Sequence, residues 1–448
     1  MHKFFRRQTI GLFLLFICPF ISTSLLADDN HPQVLPPYSL EECYQLTLQN
    51  SETLKIGDEQ LKISEAQYKE ALALIYPQFS YQINHTIRDN ANFGRVNKGR
   101  VSIDDPSTPV GGSGGILGRT QTAGVVALTQ PLFNGFRDFI LSEAAEKQTD
   151  IVKLQNVRAR ELLYQDVASL FNQIIFSESE LKVIGQAKKT LESRVGELQE
   201  FIKLGKSRES EVLAARSDLA DLETTVVQSR GLLIASKELL AFLTGVSADS
   251  LVLDNKKEIR ILEKVEHYLE LSKERSDIKA SQLTIDSEQL KLKAAHRERW
   301  PQFDLSANAY TIDDPDRNRD WEMFIQMSVP IFDGGQITAR TEAGEARVRT
   351  ANLQVAQKIR MTERDIRVAY ANTSAAREQI ESLKKLKAAA RKNFDLQNVD
   401  YSNGVVTNLE VLQAIRQLQE TERRLLKAEE QFQSNLVTLR VSAGGAIQ

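Results

Sequence analysis

The chain repeats itself at an offset of 199 residues, and that duplication limits what it can fold into more than any other feature. Pro131-Leu-Phe133-Asn-Gly135 returns as Pro330-Ile-Phe332-Asp-Gly334, Gly205 as Gly404, Glu211-Val-Leu-Ala-Ala215 as Glu410-Val-Leu-Gln-Ala414, and Gly245 as Gly444. A period this long in 448 residues argues for one architecture built from two similar halves. In each half a short alternating segment ending in proline leads into an unbroken helical pattern of roughly 70 residues, where the mean globular helix has about 11 to 12. Such a helix does not belong to an ordinary globule.

Downstream of each turn glycine, apolar residues recur every seven positions: Val212, Leu219, Val226, Leu233 and Leu240, then Val411, Leu418, Leu425, Phe432 and Leu439. This heptad spacing demands helices packed side by side with knobs in holes. Gly205 and Gly404 therefore mark the turns of two helical hairpins, where glycine takes the left-handed conformation between helices. At 1.5 Å per residue a helix of ~70 residues reaches on the order of 100 Å, enough to cross much of a periplasm. Composition agrees: 42% hydrophobic, only 7% aromatic and 26% charged residues suit seams between long helices better than a thick core.

The segments before the long helices alternate at period two. Phe79, Tyr81, Ile83 and Ile87 are interleaved with polar residues, and the partner strand is Thr122 to Gln130, giving a hairpin over 79–131. In the second half Phe303, Leu305, Ala307 and Ala309 alternate, followed by Met323, Ile325, Met327, Val329 and Ile331, giving a hairpin over 303–331. Each strand is about 9 to 10 residues, the length that crosses a bilayer at a tilt. Half-buried strands in a soluble domain alternate in the same way; aromatic residues near the strand ends (Phe79, Tyr310, Trp321, Phe332) favour lipid. The loop from Arg88 to Gln121, with its Gly111-Gly-Ser-Gly-Gly115 run, is too polar to bury, and its counterpart Thr311 to Asp320 is much shorter.

Ser39 with Glu42 three residues on is a capping box opening a helical pattern that runs to Tyr76-Pro77. The first repeat thus covers 28–245, a polar linker 246–264, and the second repeat 265–448. Residues 1–27 read as a secretory signal, with Lys3, Arg6 and Arg7 before the apolar stretch Ile10 to Ile21 and a cleavage site at Leu25-Leu-Ala27. The apolar run contains Pro19 and falls short of the ~20 residues a spanning helix needs. No other stretch approaches one, so a membrane location has to be reached through strands, which points to an outer membrane.

Loss of residues 1–27 moves the formal charge from −3 to −6, an acidity that argues against nucleic acid. Cys18 lies in the signal behind the bulky Phe16-Ile17, against lipidation, and Cys43 then stands alone as a small apolar residue. Histidines at 2, 31, 85, 267 and 296 have no metal-ligand spacing, and no nucleophile elbow or phosphate loop occurs. The sequence assigns no catalytic residue, cofactor or metal.

Four strands cannot close a barrel, and open edges in lipid leave backbone groups unsatisfied, so several copies have to pool strands. Two strand hairpins alternating with two long helical hairpins, each strand pair ending in Pro-x-Phe-x-Gly, resemble the TolC-like outer-membrane efflux family over essentially the whole mature chain. The resemblance implies a mainly α fold with membrane β: a homotrimer whose 12-stranded β-barrel, four strands per chain, continues into a long periplasmic α-helical barrel. It implies the exit duct of a tripartite efflux or type I secretion system in a Gram-negative type bacterium. The implied partners are outer-membrane lipid, a periplasmic adaptor and an inner-membrane pump of RND or ABC type.

By the same resemblance, Pro131 with Gly135 and Pro330 with Gly334 look like the strand-to-helix crossing, where proline ends a ladder and glycine permits the bend. Glu211 and Glu410 match acidic residues at the periplasmic constriction, and Tyr401 matches the tyrosine before the second turn. Val406 and Gln413 stand where some relatives carry an arginine and a second acid. First-turn glutamates also complement the helix dipole, so a gate role and a capping role are both open for Glu211 and Glu410. The tips around Gly205 and Gly404 are the expected adaptor contact. The main rival is a periplasmic coiled-coil adaptor or structural rod, which typically has one helical hairpin flanked by compact β domains; an adhesin has only the Gly-rich loop in its favour.

Overall fold

The computed structural model describes residues 37–87, 120–254, 262–311 and 320–445. The signal segment, most of both strand-joining loops and the middle of the linker lie outside them.

Helix α1 (Leu40–Asn50) starts at the expected capping box: the Ser39 amide donates to the Glu42 carboxylate at 2.7 Å and the Glu42 amide to Ser39 Oγ at 3.2 Å. The helical pattern does not run unbroken to Tyr76. Ser51 is extended (φ −63°, ψ 116°) and its hydroxyl caps a second helix, α2 (Glu52–Ala73), by accepting from the Leu54 amide. A serine hydroxyl that can satisfy a free amide competes with helix continuation.

Strands β1 (Gln78–Ile87), β2 (Thr120–Phe133), β3 (Gln302–Tyr310) and β4 (Trp321–Ser328) form one antiparallel sheet in that order. The register sets most residues opposite others of like polarity, with Ser306 opposite Phe324 and Gln130 opposite Leu305 as exceptions. Ile83 faces Gly124, Tyr81 faces Val126, Val126 faces Ala309 and Ala309 faces Trp321; Leu128 faces Ala307, which faces Met323. Opposed residues share a face, so one side of the sheet is an apolar sheet of Phe79, Tyr81, Ile83, Leu305, Met323, Ile325 and Met327. The other carries Ser80, Gln82, Asn84, Asp304, Ser306, Asn308, Glu322 and Gln326.

Two strand ends differ from expectation. Pro131 does not end β2: the strand continues to Phe133 through a register shift against β3, as proline at an irregularity allows. β4 stops at Ser328, short of Val329 and Ile331, because Ser328 already pairs with Gln302, the first residue of β3. Among the described residues no strand pairs with the residues beyond.

The long helices are α3 (Arg137–Lys203) and α7 (Gln336–Ser402), 67 residues each, followed by α4 (Glu209–Thr244) and α8 (Asn408–Ala443). The second half opens with α5 (Val265–Leu271) and α6 (Ser276–His296). Each long helix serves two neighbourhoods along its length. The first part of α3 packs on α2 and α6, where Asn156 donates to the Gly57 carbonyl at 2.8 Å, and its later part packs on α4 and α8. α7 likewise packs first on α6 and then on α8. The heptad positions Val212, Leu240, Val411, Leu418, Leu425 and Leu439 are buried in these seams.

The linker is less detached than its polarity suggests. Leu251 and Leu253 are buried with Cys43, Val167, Phe171, Ile174 and Leu240, and Tyr38 exchanges backbone hydrogen bonds with Val252 and Asp254. Cys43 is fully buried there, which pushes its thiol up to about 11 and makes it inert packing.

Candidate functional site at the helical tips

Both long helices end in the same left-handed turn. Gly205 (φ 68°) and Gly404 (φ 73°) follow the last residues of α3 and α7; Lys206 donates back to the Phe201 carbonyl at 2.8 Å and Val405 to the Asp400 carbonyl at 2.9 Å. The two turns therefore release α4 and α8 in equivalent directions. Below them the hairpins share one apolar cluster: Leu191, Leu198, Val212, Ala215 and Leu222 from the first, Val411, Leu412 and Ile415 from the second.

Tyr401, one residue before the end of α7, joins the hairpins. Its ring stacks on Phe201 of α3 with centroids 6.1 Å apart, and the Arg194 guanidinium lies 3.7 Å over its face. Burial pushes the Tyr401 hydroxyl up from its ordinary value, opposed by the nearby Arg194 charge. Arg194 is itself only 4% exposed; its Nε donates to Asn408 Oδ1 at 2.9 Å and one terminal nitrogen to Glu197 at 3.1 Å, while Nη2 has no partner. Asn408, the first residue of α8, is buried and reaches the Glu211 carbonyl at 3.5 Å.

The two glutamates sit differently. Glu211 accepts from Ser207 Oγ at 2.8 Å and is half-buried in the first turn of α4. Glu410 folds back onto Thr407, accepting from its amide at 2.6 Å and its hydroxyl at 2.9 Å, and the amide hydrogen bond holds its carboxyl below the usual range. That geometry fits helix capping. Gln413 is exposed on α8, and Val406 packs against the apolar cluster. No arginine occupies position 406; the guanidinium at the tyrosine comes from α3.

Sequence reasoning missed Arg194 and Asn408. The signal was present: Arg194 falls three residues after Leu191 and four before Leu198, so it sits within the seam-facing row, where a charge needs a specific partner. Further ion pairs cross between the hairpins farther from the turns. Arg416 meets Asp218 at 3.3 Å, and Arg423 meets Glu180 at 2.9 Å, whose second oxygen accepts from Ser229 at 2.8 Å. Burial raises Asp218 against the pull of Arg416. Among the described residues no cluster suited to a metal ion occurs.

The strand-to-helix crossings also repeat. Gly135 (φ 70°) and Gly334 (φ 65°) both take the left-handed conformation just before α3 and α7. Gly135 is packed against Arg297 and Trp300, and Arg297 donates to its carbonyl at 2.9 Å. Gly334 has open space around it.

A family model described as outer membrane efflux protein matches residues 43–246 and 268–445. The cation efflux system protein CusC of Escherichia coli strain K12 is 22% identical over 318 residues, covering 69% of this chain and 67% of that protein. The outer membrane protein TolC of Vibrio cholerae is 20% identical over 316 residues, covering 67% and 72%. Among solved structures, the outer membrane protein VceC of Vibrio cholerae superposes with a TM-score of 0.76 at 18% identity, covering 91% of this chain and 97% of that one.

Proposed function

The chain belongs to the outer membrane efflux protein family, whose place is the outer membrane, and from that premise we propose that it is a passive exit duct assembled from three copies. Each copy contributes four strands to a 12-stranded barrel in lipid and its long helices to a tube in the periplasm. The observation that carries this reading is the single sheet with one largely apolar face, one largely polar face and two edges that pair with no other strand among the described residues. A sheet of that kind is stable in a bilayer only when its edges close on other strands and its polar face lines water.

In this reading the duct feeds outward what an inner-membrane pump and a periplasmic adaptor deliver, as part of a tripartite efflux or type I secretion system. The adaptor docks at the tips around Gly205 and Gly404. The periplasmic constriction is formed where Tyr401, Glu211, Glu410 and Gln413 come close to the turns, and a ring of carboxylates there favours cations. The duct performs no catalysis of its own.

Single-particle electron microscopy of detergent-extracted protein tests this. A hollow threefold tube with a detergent belt around the sheet end supports it. A rod or dimer without a belt overturns it in favour of a periplasmic coiled-coil adaptor or structural rod.

A further inference from the structure

The corner where β2 passes into α3 and α6 passes into β3 carries charge and aromatic surface that the other repeat does without. The residues before Pro301 are His296-Arg-Glu-Arg-Trp300, and those before Pro77, 224 positions earlier, are Leu72-Ala-Leu-Ile-Tyr76. Both lead into a strand that starts at the glutamine after the proline, so the arginines are not what makes the turn. The helix starts differ in the same way. Among the described residues Phe136 is the only non-glycine with a positive φ, at 60°, where the other repeat places Gly335 at 88°. A side chain in that region is strained, and Phe136 is 54% exposed, so burial within the chain does not offset the strain.

The side chains at this corner form one assembly. Arg297 donates to the Gly135 carbonyl at 2.9 Å, and its guanidinium lies 5.0 Å from the centre of the Trp300 ring. Phe133 stands 6.3 Å from both Trp300 and Phe303; Phe136 meets it edge-on at 5.3 Å, and Phe139 follows 6.3 Å from Phe136. The aromatic row thus runs from the apolar face of the sheet, where Phe133 pairs with Phe303, onto the first turn of α3. Arginines outnumber free carboxylates around it. Glu298 is shared by Arg137 at 3.2 Å and Arg340 at 2.8 Å, Asp138 accepts from Asn134, and Asp333 accepts from the Gly335 and Ile337 amides. Arg297 and Arg299 have no carboxylate within ion-pair distance among the described residues; Arg299 donates to the Thr338 hydroxyl at 2.9 Å.

We infer that this corner binds an anionic phospholipid of the periplasm-facing leaflet, Arg297 holding the phosphodiester and the row Phe133, Trp300, Phe136 and Phe139 taking an acyl chain. The inference rests on the reading of the sheet as a membrane barrel and adds a ligand to it. Charge and position select the occupant. A guanidinium offers phosphate several N–H donors in a fixed fork, and Arg299, two positions on, adds positive charge. Aromatic side chains settle at the headgroup level of a bilayer, and this corner lies at the end of the sheet's apolar face from which the long helices depart. A lipid meets the donors and the rings together, whereas free phosphate leaves the rings in water. An anionic headgroup is favoured because the ammonium of a zwitterionic one is repelled by the neighbouring arginines. The crossing of the other repeat, with Leu74 and Tyr76 exposed and no arginine, offers apolar surface without a phosphate site.

The chain has two tryptophans, Trp300 at this corner and Trp321 on the apolar face of β4, so fluorescence reads the site directly. In the full-length protein reconstituted in vesicles, Trp321→Phe leaves Trp300 as the only emitter. Phosphatidylglycerol brominated in its acyl chains should occupy the site roughly fivefold more readily than brominated phosphatidylethanolamine, the factor one arginine near an anionic surface contributes, and quench Trp300 accordingly. Arg297→Gln should abolish that preference and Arg297→Lys should keep part of it. Phe136→Gly, which relieves the left-handed strain, should leave the unfolding temperature at or above that of the parent and still weaken quenching by both lipids. This variant tests the site even where Arg297→Gln fails to fold. Equal quenching by the two lipids in the parent, or a preference that survives Arg297→Gln, overturns the site. So does unchanged quenching in Phe136→Gly, and so does loss of the preference when inorganic phosphate replaces chloride at equal ionic strength, which marks a site for free anions. If Trp300 is not quenched while Trp321, read in Trp300→Phe, is, the lipid site falls and the channel reading stands; if neither is quenched, the membrane reading falls with it.

Discussion

The Arg194 guanidinium lies 3.7 Å over the ring of Tyr401, so the end of α7 is fastened to α3 by a cation on an aromatic face rather than by a carboxylate. The same arginine donates to Asn408 at the start of α8. One side chain from the first hairpin thereby holds both arms of the second, at Tyr401 three residues before the turn glycine Gly404 and at Asn408 four residues after it.

Arg194→Ala should loosen the tips and cost about 2 kcal/mol, because it removes the cation–aromatic contact and leaves the buried Asn408 side chain without its donor. Tyr401→Phe keeps the ring under the guanidinium and should cost less than about 1 kcal/mol. Chemical denaturation of the extracted protein orders the two, and single-channel conductance in planar bilayers should rise for Arg194→Ala alone. Equal losses for both variants would show that the tyrosine hydroxyl, rather than the ring face, carries the contact.

Asp277 predicts an acid-labile joint. Burial alone would raise its carboxyl, but hydrogen bonds from Arg275 at 2.8 and 3.0 Å and from Lys358 at 2.9 Å outweigh that and hold it at about 2. A carboxyl depressed on folding contributes stability that is present above its unfolded value near 3.8 and lost as pH falls through about 2. The loss should amount to about 2 kcal/mol between those limits. Asp277→Asn should be less stable than the parent at neutral pH and show a flatter acid profile, read by thermal melts across that window.

Much of this architecture was legible because its signals are periodic. The heptads at Val212 and Val411, the turns at Gly205 and Gly404, and the alternation around Ile83 and Ile325 repeat over many residues, and each rests on burial of a whole face. What escaped depended on single contacts across the chain. Ser51 interrupts a helix by one hydroxyl, β4 ends at Ser328 because of where β3 begins, and Arg194 finds Asn408 from 214 positions away. Periodicity carries no information about such pairings.

Gly245 and Gly205 end α4 and α3 in the same left-handed conformation, at φ 74° and 68°, but in different surroundings. A Cβ at Gly205 would meet open space, whereas one at Gly245 would lie 2.9 Å from the Asn50 side-chain nitrogen, which is held by its hydrogen bond to the Thr244 carbonyl at 2.6 Å. Gly205→Ala should therefore cost only the backbone penalty of about 1–2 kcal/mol. Gly245→Ala should cost more, since Asn50 has to leave its acceptor. Paired denaturant titrations decide the order, and a Gly205→Ala loss equal to that of Gly245→Ala would remove the packing argument.

Ile325 and Gln326 are neighbours at the same height on β4 but point to opposite faces, Ile325 across from Leu305 and Gln326 across from Asp304. If the apolar face meets lipid, a lysine at 325 has to be placed in hydrocarbon, at a cost of roughly 2–4 kcal/mol near the bilayer midplane and less towards its surfaces. A lysine at 326 stays on the polar face beside Asp304 and costs little. Ile325→Lys should therefore reduce recovery of folded oligomer from outer membranes several-fold, and Gln326→Lys should leave it near the parent level. The reverse order would place lipid on the polar side and invert the sheet, and equal tolerance would mean that neither face is in contact with a bilayer.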